Sequence, residues 1–266
     1  MIDENITDLA QTIKKEGGDD RLFMSFSTGV DSLAMWLRCL ESGQFDPKKA
    51  VLYYYYYIPG MTWIDEYIEY FEDLYGVEII QVPSSILLSD FANWLHQTPG
   101  RVEGIKSLEG TDLQFCQVEK DKMEGLVKGW AGFPEAAYTA IGVKSGDSAM
   151  RRIAMRRNRG KNEGKRKWYP IWDFENRDAE NIIRKHGIKV PYDYKLFGIT
   201  FENIDYRFSK VIKEQCPANW KHMLDFFPMA ESIITRHEYY HPEWKPKKGV
   251  KYKKYFDIAL EPRGEL

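Results

Sequence analysis

The order of apolar and polar positions predicts alternating strands and helices over the first third of the chain. Compact apolar runs at residues 22–27, 50–58 and 77–82 are typical of buried strands. Between them, residues 31–39 and 62–76 carry apolar side chains three or four positions apart, which predicts helices with one buried face. This alternation predicts an α/β fold: a doubly wound, mainly parallel sheet with helices on both faces, whose ligand lies at the carboxyl ends of the strands.

The same pattern continues less regularly through the rest of the chain. Residues 136–143 form a further apolar run and predict another strand. We expect one main domain over residues 1–200 and a helical C-terminal extension with a tail over residues 201–266. Further helices are predicted before Gly17, at the start of 84–113, and at 116–130, 176–186, 203–215 and 219–237.

A short polar turn joins the first predicted strand to its helix. Residues 27–32 read Ser-Thr-Gly-Val-Asp-Ser. A strand that turns directly into a helix presents backbone N–H groups, hydroxyls and the positive end of the helix dipole at one point, so we expect an anion there. No Gly-Lys-Ser/Thr follows, so the turn is not a Walker A motif. The alternative is an ordinary strand-to-helix turn in which Asp31 and Ser32 are first-turn helix residues.

This turn resembles the pyrophosphate-binding loop of the PP-loop superfamily, whose pattern is Ser-Gly-Gly-x-Asp-Ser between a strand and a helix. Thr28 stands where that pattern has its first glycine. The resemblance implies the adenine nucleotide alpha hydrolase-like fold, bound ATP or PAPS, and a Mg²⁺ ion placed by Asp31. The nucleotide-binding residues it implies around this loop are Ser25, Ser27, Thr28, Gly29, Val30, Asp31, Ser32 and Tyr57, the last with the adenine or ribose beside it.

A second group of polar residues follows the strand at residues 136–143. Gly142 and residues 144–148 lead into two arginines, and this segment resembles the second signature of the phosphoadenosine phosphosulfate (PAPS) reductase-like family. Lys144 stands where that family has an arginine. A strand end that delivers a glycine, hydroxyls and three cations can neutralise phosphate or sulfate charge. The residues predicted here are Gly142, Asp147 and Ser148 for binding, with Lys144, Arg151, Arg152 and Asp31 as the catalytic groups.

Residues 151–167 carry nine Lys or Arg residues against one Glu. The formal net charge of −2 gives no overall bias toward nucleic acid, so a polyanion site must come from such local clusters. The segment predicts a flexible basic loop that is either a nucleic-acid contact or a solvated excursion. Trp168 and Tyr169 could stack on an exposed base.

The three cysteines are far apart and form no CxxC pair. We therefore expect no disulfide framework, no iron–sulfur cluster, and a cytoplasmic setting without a signal peptide or membrane span. Cys116 with Lys120 resembles a Cys-x-x-x-Lys element of PAPS reductase-like proteins, although a buried structural thiol fits equally well. Residues 241–266 could wrap a partner or a second subunit in a homo-oligomer.

Three functions remain open at this point. In the first, an enzyme binds ATP and cleaves it between the α and β phosphates to activate an acceptor, in nucleic-acid or sulfur modification. In the second, PAPS is reduced to sulfite by an external thiol or by Cys216. The reductases carry a Glu-Cys-Gly-x-His motif near the C-terminus, whereas this sequence reads LEPRGEL there. In the third, the loop senses a nucleotide in a regulatory or DNA-associated module.

Overall fold

The computed structural model describes residues 4–91, 93, 95–107, 120–243 and 255–266. Over these residues the strands form one six-stranded sheet. They are β1 (Phe23–Ser25), β2 (Val51–Tyr56), β3 (Ile79–Pro83), β4 (Thr139–Ala140), β5 (Lys161–Asn162) and β6 (Lys167–Trp168). Their order across the sheet is β3-β2-β1-β4-β6-β5.

The sheet is mainly parallel, as the sequence predicts. β1 runs parallel to β2, with Phe23 opposite Val51, and parallel to β4 on its other side, with Phe23 opposite Thr139. β6 runs parallel to β4, and β5 pairs with it in antiparallel fashion. The chain adds β2 on one side of β1 and β4 on the other, so the winding direction reverses between β1 and β4. Ligands of open α/β sheets bind at the carboxyl ends of the strands at such a reversal.

The predicted helices are present, one of them divided in two, and three further helices that the sequence analysis did not predict lie at Pro99–Lys106, Ala149–Asn158 and Asp193–Leu196. The segment 219–237 is not one helix, because Pro228 lacks a backbone N–H and interrupts it. The helices of the described residues are α1 (Glu4–Gly17), α2 (Val30–Glu41), α3 (Thr62–Tyr75), α4 (Ser85–Phe91), α5 (Pro99–Lys106), α6 (Lys120–Trp130), α7 (Ala149–Asn158), α8 (Asn176–His186), α9 (Asp193–Leu196), α10 (Tyr206–Gln215), α11 (Pro217–Phe226) and α12 (Ala230–Tyr240).

The basic segment 151–167 is not a flexible loop, so that prediction is wrong. It contains most of α7 and the β5–β6 hairpin. Ser148 caps α7 by accepting a hydrogen bond from the Arg151 N–H at 3.2 Å, and Arg159 ends it with a left-handed φ of 47°. The sequence reading weighed the charge and the Gly and Asn residues, and it overlooked that Ala, Met and Arg are good helix formers. Trp168 lies buried in the sheet, so it does not offer a face to a base.

Contacts divide the chain into two compact units that alternate along the sequence. The first unit comprises Met1–Tyr54, Ile68–Gln81 and Glu124–Val190; the second comprises Tyr55–Tyr67, Val82–Met123 and Pro191–Leu266. The predicted boundary after residue 200 does not coincide with these divisions.

Each unit has an aromatic core. In the first, the rings of Phe26 and Phe71 lie 4.4 Å apart; in the second, those of Phe197 and Phe208 lie 4.9 Å apart. Within the described residues, no helix combines the length and apolar character needed to cross a bilayer.

Candidate anion-binding site

The predicted loop and the second polar segment leave the sheet side by side. β1 and β4 are parallel neighbours, so residues 27–32 and 141–148 both follow carboxyl ends at the same edge. Backbone hydrogen bonds beyond the strands hold both exits. The Phe26 N–H donates to the Tyr53 carbonyl at 2.8 Å, and the Ile141 N–H donates to the Trp168 carbonyl at 2.9 Å. The two segments that carry the predicted phosphate-binding residues are therefore fixed to the same sheet.

The turn after β1 depends on an unusual backbone conformation at Thr28. Its φ is 59°, and the residue is buried. A left-handed conformation costs about 1–2 kcal/mol for a residue with a Cβ, which explains why glycine suits this position in the PP-loop pattern. The Thr28 hydroxyl donates to the Ser27 carbonyl at 2.7 Å and so supports the turn. The chain thus adopts a conformation that favours glycine although it has a threonine there.

The first turn of α2 presents backbone donors. Gly29 is the N-cap, with φ −69° and ψ 161°, and it has no side chain to cap the helix. Within the described part of the chain, the N–H groups of Gly29, Asp31 and Ser32 have no acceptor, and Leu33 is the residue that bonds back to the Gly29 carbonyl, at 3.0 Å. Unpaired donors at a helix N-terminus, together with the helix dipole, form an anion site.

The serine hydroxyls of the loop shape it. Ser32 Oγ donates to the Gly29 carbonyl at 2.8 Å, and Ser27 Oγ donates to Ser32 Oγ at 3.3 Å. Ser32 is buried, whereas Ser27 is exposed. These bonds leave the backbone N–H groups, rather than the Ser32 hydroxyl, as the principal donors of the loop.

A buried lysine supplies the positive charge of the site. Lys144 is 5% exposed, and its Nζ lies 2.5 Å from Asp31 Oδ1 and 3.1 Å from Asn176 Oδ1. Its backbone N–H donates to Asp147 Oδ2 at 3.0 Å, which closes the short 3₁₀ turn Ser145–Asp147. Sequence reasoning did not single out Asn176, because it begins α8, more than thirty residues further along the chain, and belongs to no motif.

Gly142 allows this lysine segment to lie against the loop. A Cβ at this position would lie 3.1 Å from the Asp31 carbonyl oxygen and 3.2 Å from the Ser32 nitrogen. Those are backbone atoms that cannot swing aside. The absence of a side chain at Gly142 therefore sets the distance between the end of β4 and the first turn of α2.

The other predicted residues of the second segment lie on or beside α7. Arg151 is exposed, with its guanidinium 3.5 Å from Asp147. Arg152 is exposed as well and has no ion-pair partner among the described residues. Ser148 caps α7 rather than facing the loop. The groups that the structure brings together are the loop 27–32, Gly142 and Lys144, while Ser25 lies in β1 just before the loop.

Tyr57 belongs to the second unit and is buried there. Its hydroxyl donates to the Asp90 carboxylate, and burial raises the pKa of that hydroxyl. Its ring stacks with Phe227 and meets Phe201 edge-on. The sequence analysis predicted that the Tyr57 ring lies beside an adenine or ribose. In the structure this ring packs in the aromatic core of the second unit.

The two cysteines of the described residues are poor nucleophiles. Both are buried, Cys39 in the first unit and Cys216 in the second. Burial raises the pKa of both thiols, to about 12 for Cys216. A thiol attacks only as its thiolate, so neither side chain is activated. Cys116 lies outside the described residues.

Asp31 fits the role of a Mg²⁺ ligand. No group of three or more His, Cys, Asp or Glu side chains suited to a metal occurs among the described residues. Mg²⁺ is usually held by one or two carboxylates together with substrate phosphates and water. The Asp31 side chain is 36% exposed, and its bond to Lys144 uses only Oδ1.

No protein-family model and no curated protein matches this sequence. Among solved structures, the U34-tRNA thiolase NcsA from Methanococcus maripaludis, with its [4Fe-4S] cluster, is similar at 15% identity and a TM-score of 0.43, covering 98% of this chain and 91% of its own. The NH3-dependent NAD synthetase from Campylobacter jejuni, in complex with a nitrate ion, is similar at 10% identity and a TM-score of 0.43. The match covers 89% of this chain and 93% of the synthetase. Neither of these proteins is named as a PAPS reductase.

The prediction that this chain holds no iron–sulfur cluster is corrected by the first of these structures, which carries one. The prediction relied on the spacing of cysteines along the sequence. That spacing identifies clusters held by one compact motif, whereas ligands can also come from distant segments that the fold brings together. The absence of a CxxC pair therefore does not exclude a cluster.

Proposed function

We propose that this protein is a PP-loop enzyme that binds ATP and cleaves it between the α and β phosphates to activate an acceptor. The observation that carries the proposal is the convergence of unpaired N–H groups at the start of α2 with the buried Lys144 ammonium. Those groups match the needs of a pyrophosphate, which carries several negative charges and accepts hydrogen bonds.

Bond cleavage at this site would need charge stabilisation on the leaving group. A nucleophilic atom of the acceptor attacks the α phosphorus, and the electrons of the α–β bridging bond pass to the departing pyrophosphate. The Gly29, Asp31 and Ser32 N–H groups and Lys144 hold that pyrophosphate as its charge grows. A Mg²⁺ ion, when bound at Asp31, would supply further positive charge at the phosphates.

Reduction of PAPS has less support. It needs a reactive thiol, and burial holds Cys216 in the protonated form by raising its pKa to about 12. An external thiol would still serve. The two reactions differ in product, since ATP cleavage releases pyrophosphate and PAPS reduction releases sulfite.

Product analysis tests the proposal. The protein is incubated with ATP, Mg²⁺ and cell-extract fractions as the source of acceptor, and separately with PAPS and thioredoxin. We expect AMP-linked product with stoichiometric pyrophosphate from the first mixture and no sulfite from the second. Sulfite release that depends on this protein would overturn the proposal. Tight nucleotide binding with neither product, under every acceptor fraction, would instead favour a sensing module.

A further inference from the structure

Helix α7 carries an unpaired cluster of arginines. Arg152, Arg156, Arg157 and Arg159 are exposed, and none of them has an acidic partner among the described residues. Most other strongly basic side chains near the site are engaged, as Lys144 is with Asp31 and Lys161 with Glu16. We call these four residues the α7 arginines.

The helix dipole favours Arg156 and Arg157, which lie in the last turn of α7, but it does not favour Arg152 in the first turn. Met155 is the residue that the helix buries, while Met150 is 78% exposed and Ile153 is 68% exposed. A helix of about ten residues is marginal without packing. Arg152 lies near the positive end of the helix dipole, and it stands one turn before Arg156, which places two like charges together. The two terms that involve Arg152 destabilise the isolated helix, and a bound polyanion would offset them.

α7 is also joined to the candidate site by a short series of contacts within the first unit. Lys144 contacts Asp31 through its side chain and Asp147 through its backbone N–H. Asp147 accepts from the Arg151 guanidinium at 3.5 Å, in the first turn of α7. Lys144 and Asp147 therefore connect the first turn of α7 to the loop that is proposed to hold the pyrophosphate.

We propose that the α7 arginines bind the phosphate backbone of a nucleic acid, and that a nucleic acid is the acceptor class for the adenylating site. The second part rests on the proposed function. Arginine presents a planar fork of donors that matches phosphate oxygens, and it is the preferred residue for nucleic-acid backbones. Membrane-surface helices instead carry a broad apolar face of large side chains, and α7 exposes only Met150 and Ile153.

Binding across a salt series tests the backbone contact. Fluorescence anisotropy is measured with single- and double-stranded RNA and DNA oligonucleotides, for the full chain and for a variant with the four α7 arginines changed to Gln. Glutamine keeps the helix propensity and removes the charge. Each lost phosphate contact lowers the salt slope by about 0.7 for single strands or 0.9 for duplexes. We expect the slope to fall by about 3 and low-salt affinity to fall at least tenfold.

A matched variant separates local contact from overall charge. Lys15, Lys48, Lys49 and Arg177 are exposed in the first unit but lie outside α7. Changing these four to Gln removes the same total charge, and affinity should stay within about twofold. If the quadruple α7 variant does not fold, R156Q/R157Q provides a milder test, with an expected slope change of about 1.5.

The outcomes distinguish this inference from the proposed function. Equal weakening by both quadruple variants, or no nucleic-acid binding at low salt with ATP present, would overturn the inference. Preferential binding to anionic lipid vesicles would assign α7 to a membrane instead. Nucleic acid that binds through α7 without pyrophosphate release leaves the contact intact and contradicts the adenylation. Pyrophosphate release with a small-molecule fraction alone supports the adenylation and contradicts the acceptor class.

Discussion

Two aspartates, one in each unit, stand in the first turn of a helix and have opposite surroundings. Asp31 at the start of α2 is 36% exposed, with the Lys144 ammonium 2.5 Å away. Asp193 at the start of α9 is 1% exposed; its Oδ2 accepts from the Phe201 N–H at 3.0 Å, and no cation pairs with it among the described residues. Burial raises the pKa of Asp193 to about 7.

The two carboxylates differ in their access to solvent and ligands. The Asp31 pair is open on one side, so a ligand can contact the carboxylate while the lysine remains in place. Asp193 has no such opening, and its ionisation requires a charge in an apolar environment. The first arrangement suits a site for charged ligands, whereas the second makes the stability of its unit depend on pH.

The largest expected effect comes from removing the cation of the first pair. Lys144→Ala should lower the rate of pyrophosphate release about 100- to 1000-fold, because a positioned charge at the leaving group is lost. Lys128 provides a matched control in the same unit. It is also buried, and its Nζ donates to the Ala137 carbonyl at 2.8 Å, away from the loop. Similar losses for Lys128→Ala and Lys144→Ala, in folded proteins, would show that Lys144 acts through stability alone.

The buried Asp193 predicts a pH-dependent stability of the second unit. The folded pKa of Asp193, about 7, is above the ordinary value of 3.8, so the folded state binds the proton more tightly. The free energy of unfolding should therefore fall as pH rises from about 4 to 7, by at most about 4 kcal/mol. Asp193→Asn should flatten that dependence and gain stability over wild type near pH 8. Denaturant titrations at several pH values give the measurement, and an unchanged pH slope in the variant would contradict it.

A smaller effect on folding stability is expected at Gly142, where the chain lies close to the backbone of Asp31 and Ser32. Gly142→Ala places a Cβ against the backbone of Asp31 and Ser32, and such overpacking costs about 1–3 kcal/mol of folding stability. Nucleotide affinity should fall with it. Gly146→Ala is the control, because a Cβ there meets no atom within 4 Å. Thermal unfolding and calorimetry of both variants would check this, and equal behaviour of the two would contradict the close approach.

The smallest effect is expected at Thr28. Glycine tolerates the φ of 59° that threonine occupies under strain, so Thr28→Gly should change the free energy of unfolding by about 0 to +1 kcal/mol. Thr28→Ala keeps the Cβ and gains nothing. A clear loss of stability in the glycine variant, measured by denaturant titration, would mean that the hydroxyl bond to the Ser27 carbonyl outweighs the strain.

Much of the fold could be predicted from the sequence, because apolar runs and helical spacing reflect burial directly. The strand-to-helix loop at residues 27–32 was found in this way, and so was the strand that leads to Lys144. Three features were not predicted. Pro228 was overlooked within an apparently continuous helix, and the charge of residues 151–167 obscured the helix propensity of α7. The contact between Lys144 and Asn176 depends on tertiary packing, which no local pattern reveals.

In the proposed function, the backbone N–H groups at the start of α2 hold the pyrophosphate of ATP. Amide resonances of isotope-labelled protein, followed by NMR during titration with ATP and Mg²⁺, test it most directly. We expect saturable shifts at Gly29, Asp31 and Ser32, with weaker binding in Gly142→Ala and wild-type binding in Gly146→Ala. Saturable ATP binding that leaves these three amides unmoved and shifts resonances elsewhere would contradict it.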